Sequence, residues 1–172
     1  MKTSFKLQLE EKIAVITGGA GSICSTFAEA LAAQGAKVII LDIDEKDGEK
    51  IAESISKNGF ICRYIKTDVV DLDSLNNAKE EVKQHFGTPD ILINGAGGNN
   101  PVCTTTNDCL KEEDLVKDDI KTFFDLELEG IKYVFDLNFL GTFLTTQVFA
   151  EEMILKDKAV IINISSMNAL TP

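Results

Sequence analysis

The sequence predicts an α/β fold: a Rossmann-type doubly wound parallel sheet between two helical layers, a three-layer α/β/α arrangement with strand order 3-2-1-4-5. Three observations predict it. Short apolar runs alternate with longer segments of helical period from Ile13 to Ile164. The runs are continuously apolar, as strands covered on both faces must be. The turns that follow them gather Gly, Asp, Asn and Ser at the carboxyl ends of the strands, where a doubly wound sheet places its ligand.

Ile13–Thr17 (IAVIT) is the first strand, followed at once by glycines and Ser22. From Ser25 to Gln34, Phe27, Ala30 and Leu31 fall at helical spacing, and Gly35 is a good terminator. Lys37–Leu41 (KVIIL) is the second strand. Glu45–Lys57 is a charged helix with Ile51 and Ile55 four apart, closing at Asn58–Gly59. Phe60–Ile65 is the third strand, and Leu72–Phe86 the third helix, with Leu75, Ala78, Val82 and Phe86 on one side. Asp90–Ile93 (DILI) is the fourth strand. From Gly95 to about Gly130 the pattern breaks into a polar stretch with Pro101, three consecutive Thr and a charge-rich piece (KEEDLVKDD). A structureless loop of this length is unusual in a compact domain and points to function or mobility. Periodicity returns at Ile131 and runs to about Leu155, a helix of roughly six or seven turns. Ala159–Ile164 (AVIINI) is the fifth strand, followed by Ser165-Ser166-Met167-Asn168.

A chain of 172 residues suits one domain over 1–172. Its hydrophobic content of 44% is that of an ordinary globular protein. The net charge of −11 excludes a broad nucleic-acid or anionic-membrane surface, since both need a basic face. Cys24, Cys62, Cys103 and Cys109 lack zinc-knuckle or dithiol spacing and read as reduced thiols of a cytoplasmic protein. The N-terminus lacks a signal-peptide core, and no run approaches the ~18 apolar residues of a membrane span. No metal site is expected; the single His85, before Gly87, reads as a surface residue.

The chemistry sits at the strand ends. Thr17-Gly18-Gly19-Ala20-Gly21-Ser22-Ile23-Cys24 joins the first strand to a helix, and such a turn aims unpaired N–H groups at a phosphate. A plain tight turn would also use glycines; the place early in a βαβ unit favours a dinucleotide pyrophosphate. Asp42, about two dozen residues after Gly18, can accept from the adenosine ribose hydroxyls of NAD and would repel the 2′-phosphate of NADP. Asp44 is the nearby rival for this role. Asp68-Val69, Asn94-Gly95-Ala96-Gly97 and Ser165-Ser166 follow the next three strands.

Together these residues resemble the short-chain dehydrogenase/reductase family over essentially the whole chain. The family's T-G-x-x-x-G-x-G corresponds to Thr17–Cys24, its acidic residue to Asp42, its adenine-contacting Asp-Val to Asp68-Val69, and its N-N-A-G to Asn94–Gly97. Its D-x-N-x-x-G-T corresponds to Asp136–Thr142, and its serine after the fifth strand to Ser166. The resemblance implies a cofactor site of Gly18, Gly21, Ser22, Ile23, Asp42, Asp68, Val69, Asn94, Ala96 and Gly97, with NAD preferred over NADP. It implies catalytic roles for Ser166, which orients the substrate oxygen, and Asn138, which holds a relay water. Gly97–Pro101, the long insert, Phe123–Leu126, Asp136–Thr142 and Ser165–Ala169 are further similar to the sugar-acid reductases of the D-mannonate oxidoreductase (fructuronate reductase) type. That likeness implies a small-molecule sugar-acid substrate near residues 99–130 and interconversion of a secondary alcohol and a ketone.

Two departures accompany the likeness. Ser22 and Cys24 stand where the family usually has its second and third glycines, so a slightly wider turn is expected. The family's Tyr-x-x-x-Lys, its general acid/base pair, does not occur in these 172 residues; Tyr64 and Tyr133 lack a Lys at that spacing and read as structural. The expectation is a piece of a longer homodimeric or homotetrameric enzyme whose remaining strands and Tyr-x-x-x-Lys helix follow. Another short-chain dehydrogenase acting on a different polyol or keto acid is the alternative, as is a non-catalytic nucleotide-binding fragment.

Overall fold

A computed structural model describes residues 7–166. Met167, Asn168 and Ala169, which belong to the sugar-acid likeness, lie outside the described residues. Five parallel strands form one sheet: β1 (Ile13–Thr17), β2 (Lys37–Asp42), β3 (Cys62–Lys66), β4 (Ile91–Asn94) and β5 (Val160–Asn163), in the order β3-β2-β1-β4-β5. The helices α1 (Ser22–Ala33), α2 (Glu45–Lys57), α3 (Leu72–His85), α4 (Leu128–Phe135) and α5 (Gly141–Met153) cover it. The expected strand order and layering are those observed. Order reverses between β1 and β4, which pair through Ala14 to Ile91 and Thr17 to Asn94, so the ligand crevice of such a sheet opens above these two strands.

Strand alternation divides the core in two. Val15, Ile39, Leu41 and Leu92 point to one face and pack with Leu75, Val82, Phe149 and Met153. Ala14, Ile16, Val38 and Ile40 point to the other and pack with Cys24, Ala28, Ala32 and Ile55. At ~25 cal/mol per Å² of apolar area removed from water, this double burial is the main force holding the sheet. The edge strands depart from the expected continuous burial. Of Cys62–Lys66 only Ile65 is buried, with Arg63 and Lys66 exposed, and β5 is exposed throughout. β3 also begins two residues later than expected, because pairing with β2 starts at Val38 opposite Cys62.

Three further boundaries or segments differ from the sequence reading. α1 starts at Ser22, not Ser25, since Gly21 serves as its N-cap without a side-chain bond to mark it. Residues 95–130 are not structureless: three short 3-10 turns, Pro101–Cys103, Glu112–Val116 and Phe123–Asp125, are tied by local hydrogen bonds. The single long helix is divided by a wide π-turn at Asp136–Leu140, between α4 and α5. Turns of this kind cluster at functional sites. Among the described residues no helix is long and apolar enough to cross a membrane.

Candidate functional site

The turn after β1 is closed by a Gly21 N–H donating to Gly18 O at 3.0 Å. Gly18 has φ +65, and a Cβ there would lie 2.7 Å from both Ala96 N and Gly95 O, so only glycine brings the two turns this close. No side chain caps α1, and its first turn holds no acidic residue. Its unpaired N–H groups, positive by the helix dipole, border the cleft and are free for an anion. Thr17 Oγ1 accepts from both Gly95 N–H (3.1 Å) and Ala96 N–H (3.2 Å), locking the turn after β4 beside the first.

Cys24 requires no wider turn. It is buried beneath this junction, and a Cβ on Gly95 would collide with its Sγ. The sulfur therefore fills the space that a side chain at position 95 would occupy. Cys24, where the family's turn has its third glycine, and Gly95, where its N-N-A-G has the second Asn, thus fit one another. Burial, and after it the Asp42 carboxylate, raise the Cys24 pKa, so the thiol stays protonated and inert. Cys62 is pushed by burial to about 12.

These turns line a cleft of about 700 Å³. Gly18, Gly21, Ser22, Ile23, Asp42, Asp68, Val69, Ala96 and Gly97, all anticipated from sequence, line it together. Asp42 Oδ2 accepts from Ala20 N–H at 2.9 Å and Oδ1 from Asp44 N–H at 3.0 Å, which clamps the carboxylate between the glycine turn and the end of β2. Asp68 Oδ1 accepts from Val70 N–H at 3.0 Å, leaving Oδ2 for a ligand donor. Asp44 and Asp136 also line the cleft, and among the described residues no Lys, Arg or His does.

Asn94 behaves otherwise than its place in the motif suggests. It is buried and does not line the cleft; Nδ2 donates to Thr146 Oγ1 (2.9 Å) and Asn163 Oδ1 (2.8 Å), joining β4 to β5 and α5. It holds Gly95–Gly97 in place from below. Asn138 sits in the π-turn. Its two amide protons go to Gly98 O and Val134 O, both at 2.8 Å, while Oδ1 accepts from Gly98 N–H at 3.0 Å. A Cβ on Gly97 would lie 2.6 Å from that oxygen, so Gly97 is small to admit the clamp. Ser166 follows β5 and is exposed. Among the described residues no group of three or more His, Cys, Asp or Glu could hold a metal ion.

The short chain dehydrogenase family pattern matches residues 12–172. The chain belongs to the short-chain dehydrogenase family. An uncharacterised oxidoreductase of Haemophilus influenzae is 46% identical over 164 residues, covering 95% of this chain and 57% of the relative. The uncharacterised oxidoreductase UxuB of Bacillus subtilis is 42% identical over 164 residues, covering 95% and 58%. A crystal structure from H. influenzae, provisionally assigned as a D-mannonate oxidoreductase and holding NAD, superposes with a TM-score of 0.92 at 45% identity, over 96% of this chain and 58% of that one. The chain thus spans a little over half the length of these relatives.

Within this family member the two tyrosines separate. Tyr64 is structural, as expected: its hydroxyl donates to Asp42 O at 2.9 Å, and its ring lies so close to Gly48 that no Cβ would fit there. Burial, then the surrounding carboxylates beginning with Glu45, push its pKa to about 12, far from that of a base at neutral pH. Tyr133 is not a core residue. It is 52% exposed and lines the cleft with Asp136 and Leu137, a role the helical pattern around it does not signal.

Proposed function

We propose that the intact protein is an NAD-dependent oxidoreductase interconverting a secondary alcohol and a ketone, with a small sugar acid of the D-mannonate/D-fructuronate kind as substrate. The observation that carries the cofactor part is the cleft itself: two glycine turns locked by Thr17 Oγ1, an uncapped helix start, and four carboxylates with no cation among the described lining residues. A cradle that excludes even one Cβ at Gly18 fits a pyrophosphate approached by backbone N–H groups. The charged residues of the described lining are all acidic, and Asp42 among them favours ribose hydroxyls and repels a 2′-phosphate, which supports NAD over NADP. The provisional D-mannonate assignment of the NAD-holding neighbour supports the substrate class.

NAD, when bound, supplies the carbon that exchanges hydride with the substrate. The chain's own residues do the rest of what can be assigned to them. Ser22 and Ile23 present N–H groups to the pyrophosphate, Gly21 keeps the turn that carries them tight, Asp42 accepts from the ribose, and Asp68 and Val69 receive the adenine. Ala96 and Gly97 border the cleft on the β4 side, and Asn94 positions them. Ser166 donates to the substrate oxygen. Asn138 acts as a positioning residue that fixes the Gly98 peptide, since both its amide protons are already used. The family's Tyr-x-x-x-Lys, which would move the proton, belongs to the part of the protein beyond residue 172; the relatives' greater length supports this reading. The protein is read as cytoplasmic and homo-oligomeric.

The test is cofactor binding and turnover by the intact protein. NAD at about a hundred times its Kd should stabilise it by about 2.7 kcal/mol, with no comparable effect of NADP. Asp42→Ala should narrow that preference at least tenfold. D-mannonate should reduce NAD in the same preparation, with Ser166→Ala lowering kcat. Equal stabilisation by both dinucleotides, or turnover only on neutral polyols, would sink the respective half of the proposal.

A further inference from the structure

The helix that crosses the mouth of the cleft carries Tyr133, Leu137 and Gly141 four residues apart. The π-turn between α4 and α5 falls within this stretch and contains Leu137, and its i→i+5 bonding keeps positions four apart nearly in line. The line runs over the β3 side of the cleft. Gly141 presses on Val69 so closely that an added Cβ would meet Val69 Cγ2 at 2.7 Å. Leu137 packs against the same core cluster as Val69. Tyr133 stands one turn farther along the helix and lines the cleft together with Asp68, Val69, Val70 and Ile43. Among the described residues its hydroxyl has no hydrogen-bond partner, and Ile43, Val70 and Tyr133 are all substantially exposed there. An aromatic ring left open to water beside aliphatic side chains and a carboxylate oxygen is a poor core residue and a good platform for a flat heteroaromatic ring.

We propose that Tyr133 is a wall of the adenine subsite, its ring lying against the purine that Val69, Val70 and Ile43 flank and whose exocyclic amine can donate to Asp68 Oδ2. The inference rests on the dinucleotide reading of the cleft and adds to it a residue outside the strand-end motifs. It makes the affinity for the adenine half depend on a helix belonging to the other half of the fold. The ring, not the hydroxyl, makes the contact.

Binding of AMP, ADP-ribose, NAD and nicotinamide mononucleotide to the intact wild-type protein and to Tyr133→Ala, Tyr133→Leu and Tyr133→Phe, measured by calorimetry, tests this. Tyr133→Ala should weaken AMP, ADP-ribose and NAD by about tenfold or more, the range expected of one lost base–aromatic stack, and leave nicotinamide mononucleotide unchanged. Tyr133→Phe should bind as wild type within about twofold, and Tyr133→Leu should fall between. Unchanged ADP-ribose affinity in Tyr133→Ala, a loss shared equally by nicotinamide mononucleotide, or a Tyr133→Phe as weak as Tyr133→Ala would each overturn the inference while the wild type still binds NAD. A wild type that binds none of the adenine ligands overturns the dinucleotide reading and the inference together. Unchanged thermal unfolding of the unliganded variants separates lost stacking from lost structure.

Discussion

The two sides of the cleft are held by different physics. On the cofactor side, in β1, β2 and β4, the sheet is covered on both faces, and the side chains that fix it are aliphatic: Val15, Ile16, Ile39, Ile40, Leu41 and Leu92 are all fully buried. On the other side, from Gly95 to Gly130, carboxylates and amides do the holding. Asp114 gathers Lys111 N–H, Asn107 Nδ2 and Lys117 Nζ; Asp125 gathers the amide and hydroxyl of Thr122; Asn138 grips Gly98. Large apolar groups such as Val116, Phe123 and Phe124 remain exposed there. Apolar burial is non-directional and sums over area, so it builds a rigid platform. Hydrogen-bonded hubs are directional and local, so they shape a loop without welding it to the core.

The sharpest way to break the cofactor side is to overfill it. Gly95→Ala should have the largest effect, costing about 3 kcal/mol, because its methyl has to displace Cys24 Sγ in a packed junction and also lies 3.0 Å from Thr17 O. Cys24→Gly should cost about 1 kcal/mol on its own through helix entropy. The double variant should be more stable than Gly95→Ala alone, with a favourable coupling energy in denaturant titrations. Strictly additive effects would show that the sulfur is not the obstacle.

A smaller effect should appear at the opposite end of the strands from the cleft, where one carboxylate ties β1 to the approach to β5. Asp90, just before β4, accepts from Lys12 Nζ and Ile13 N–H on the β1 side and from Lys156 Nζ ahead of β5, each at 3.0 Å. Burial raises its pKa, but the Ile13 amide and the two ammonium groups outweigh that and hold it below the usual carboxylate range. A depressed folded pKa gives stability that is complete above the ordinary Asp value and is lost as pH falls through the folded one. Asp90→Ala should therefore cost about 2 kcal/mol at neutral pH, and the gap to wild type should shrink in acid. A gap independent of pH would assign the loss to packing.

The same contrast explains what the sequence made legible. The boundaries of β1 and α2 and the strand order could be read directly, because continuous apolar runs and a capped, charged helix are signals spread over many residues. The glycine turn and the acids at the strand ends were legible by position in the topology. Asn94 was misplaced, since a motif residue says nothing about which way its amide turns. The π-turn at Asp136–Leu140 was invisible because one extra residue barely disturbs a helical apolar pattern, and with it went the placement of Tyr133. The fit between Cys24 and Gly95 joins residues remote in sequence, and only a three-dimensional contact reveals it. The hubs of residues 99–130 left no periodic trace at all.

Those hubs supply the subtlest test of the difference between the two sides. Asp114 is held below the usual carboxylate range first by the Lys111 amide, then by Asn107 and Lys117, so the charged form is the one that organises Asn107–Lys117. Removing it in Asp114→Ala should leave global thermal unfolding and NAD affinity nearly unchanged, because no apolar core residue of either cluster depends on it. Limited proteolysis should instead accelerate within residues 104–121, and Asp114→Asn, which retains one acceptor oxygen, should fall between. If the segment forms part of the substrate site, KM for the sugar acid should rise while kcat changes little. Acidification of the wild type should reproduce the proteolytic pattern, since protonating Asp114 removes the charge its donors hold. A cooperative loss of the whole fold in Asp114→Ala would overturn the distinction, for it would mean that the polar hub and the apolar sheet are one folding unit.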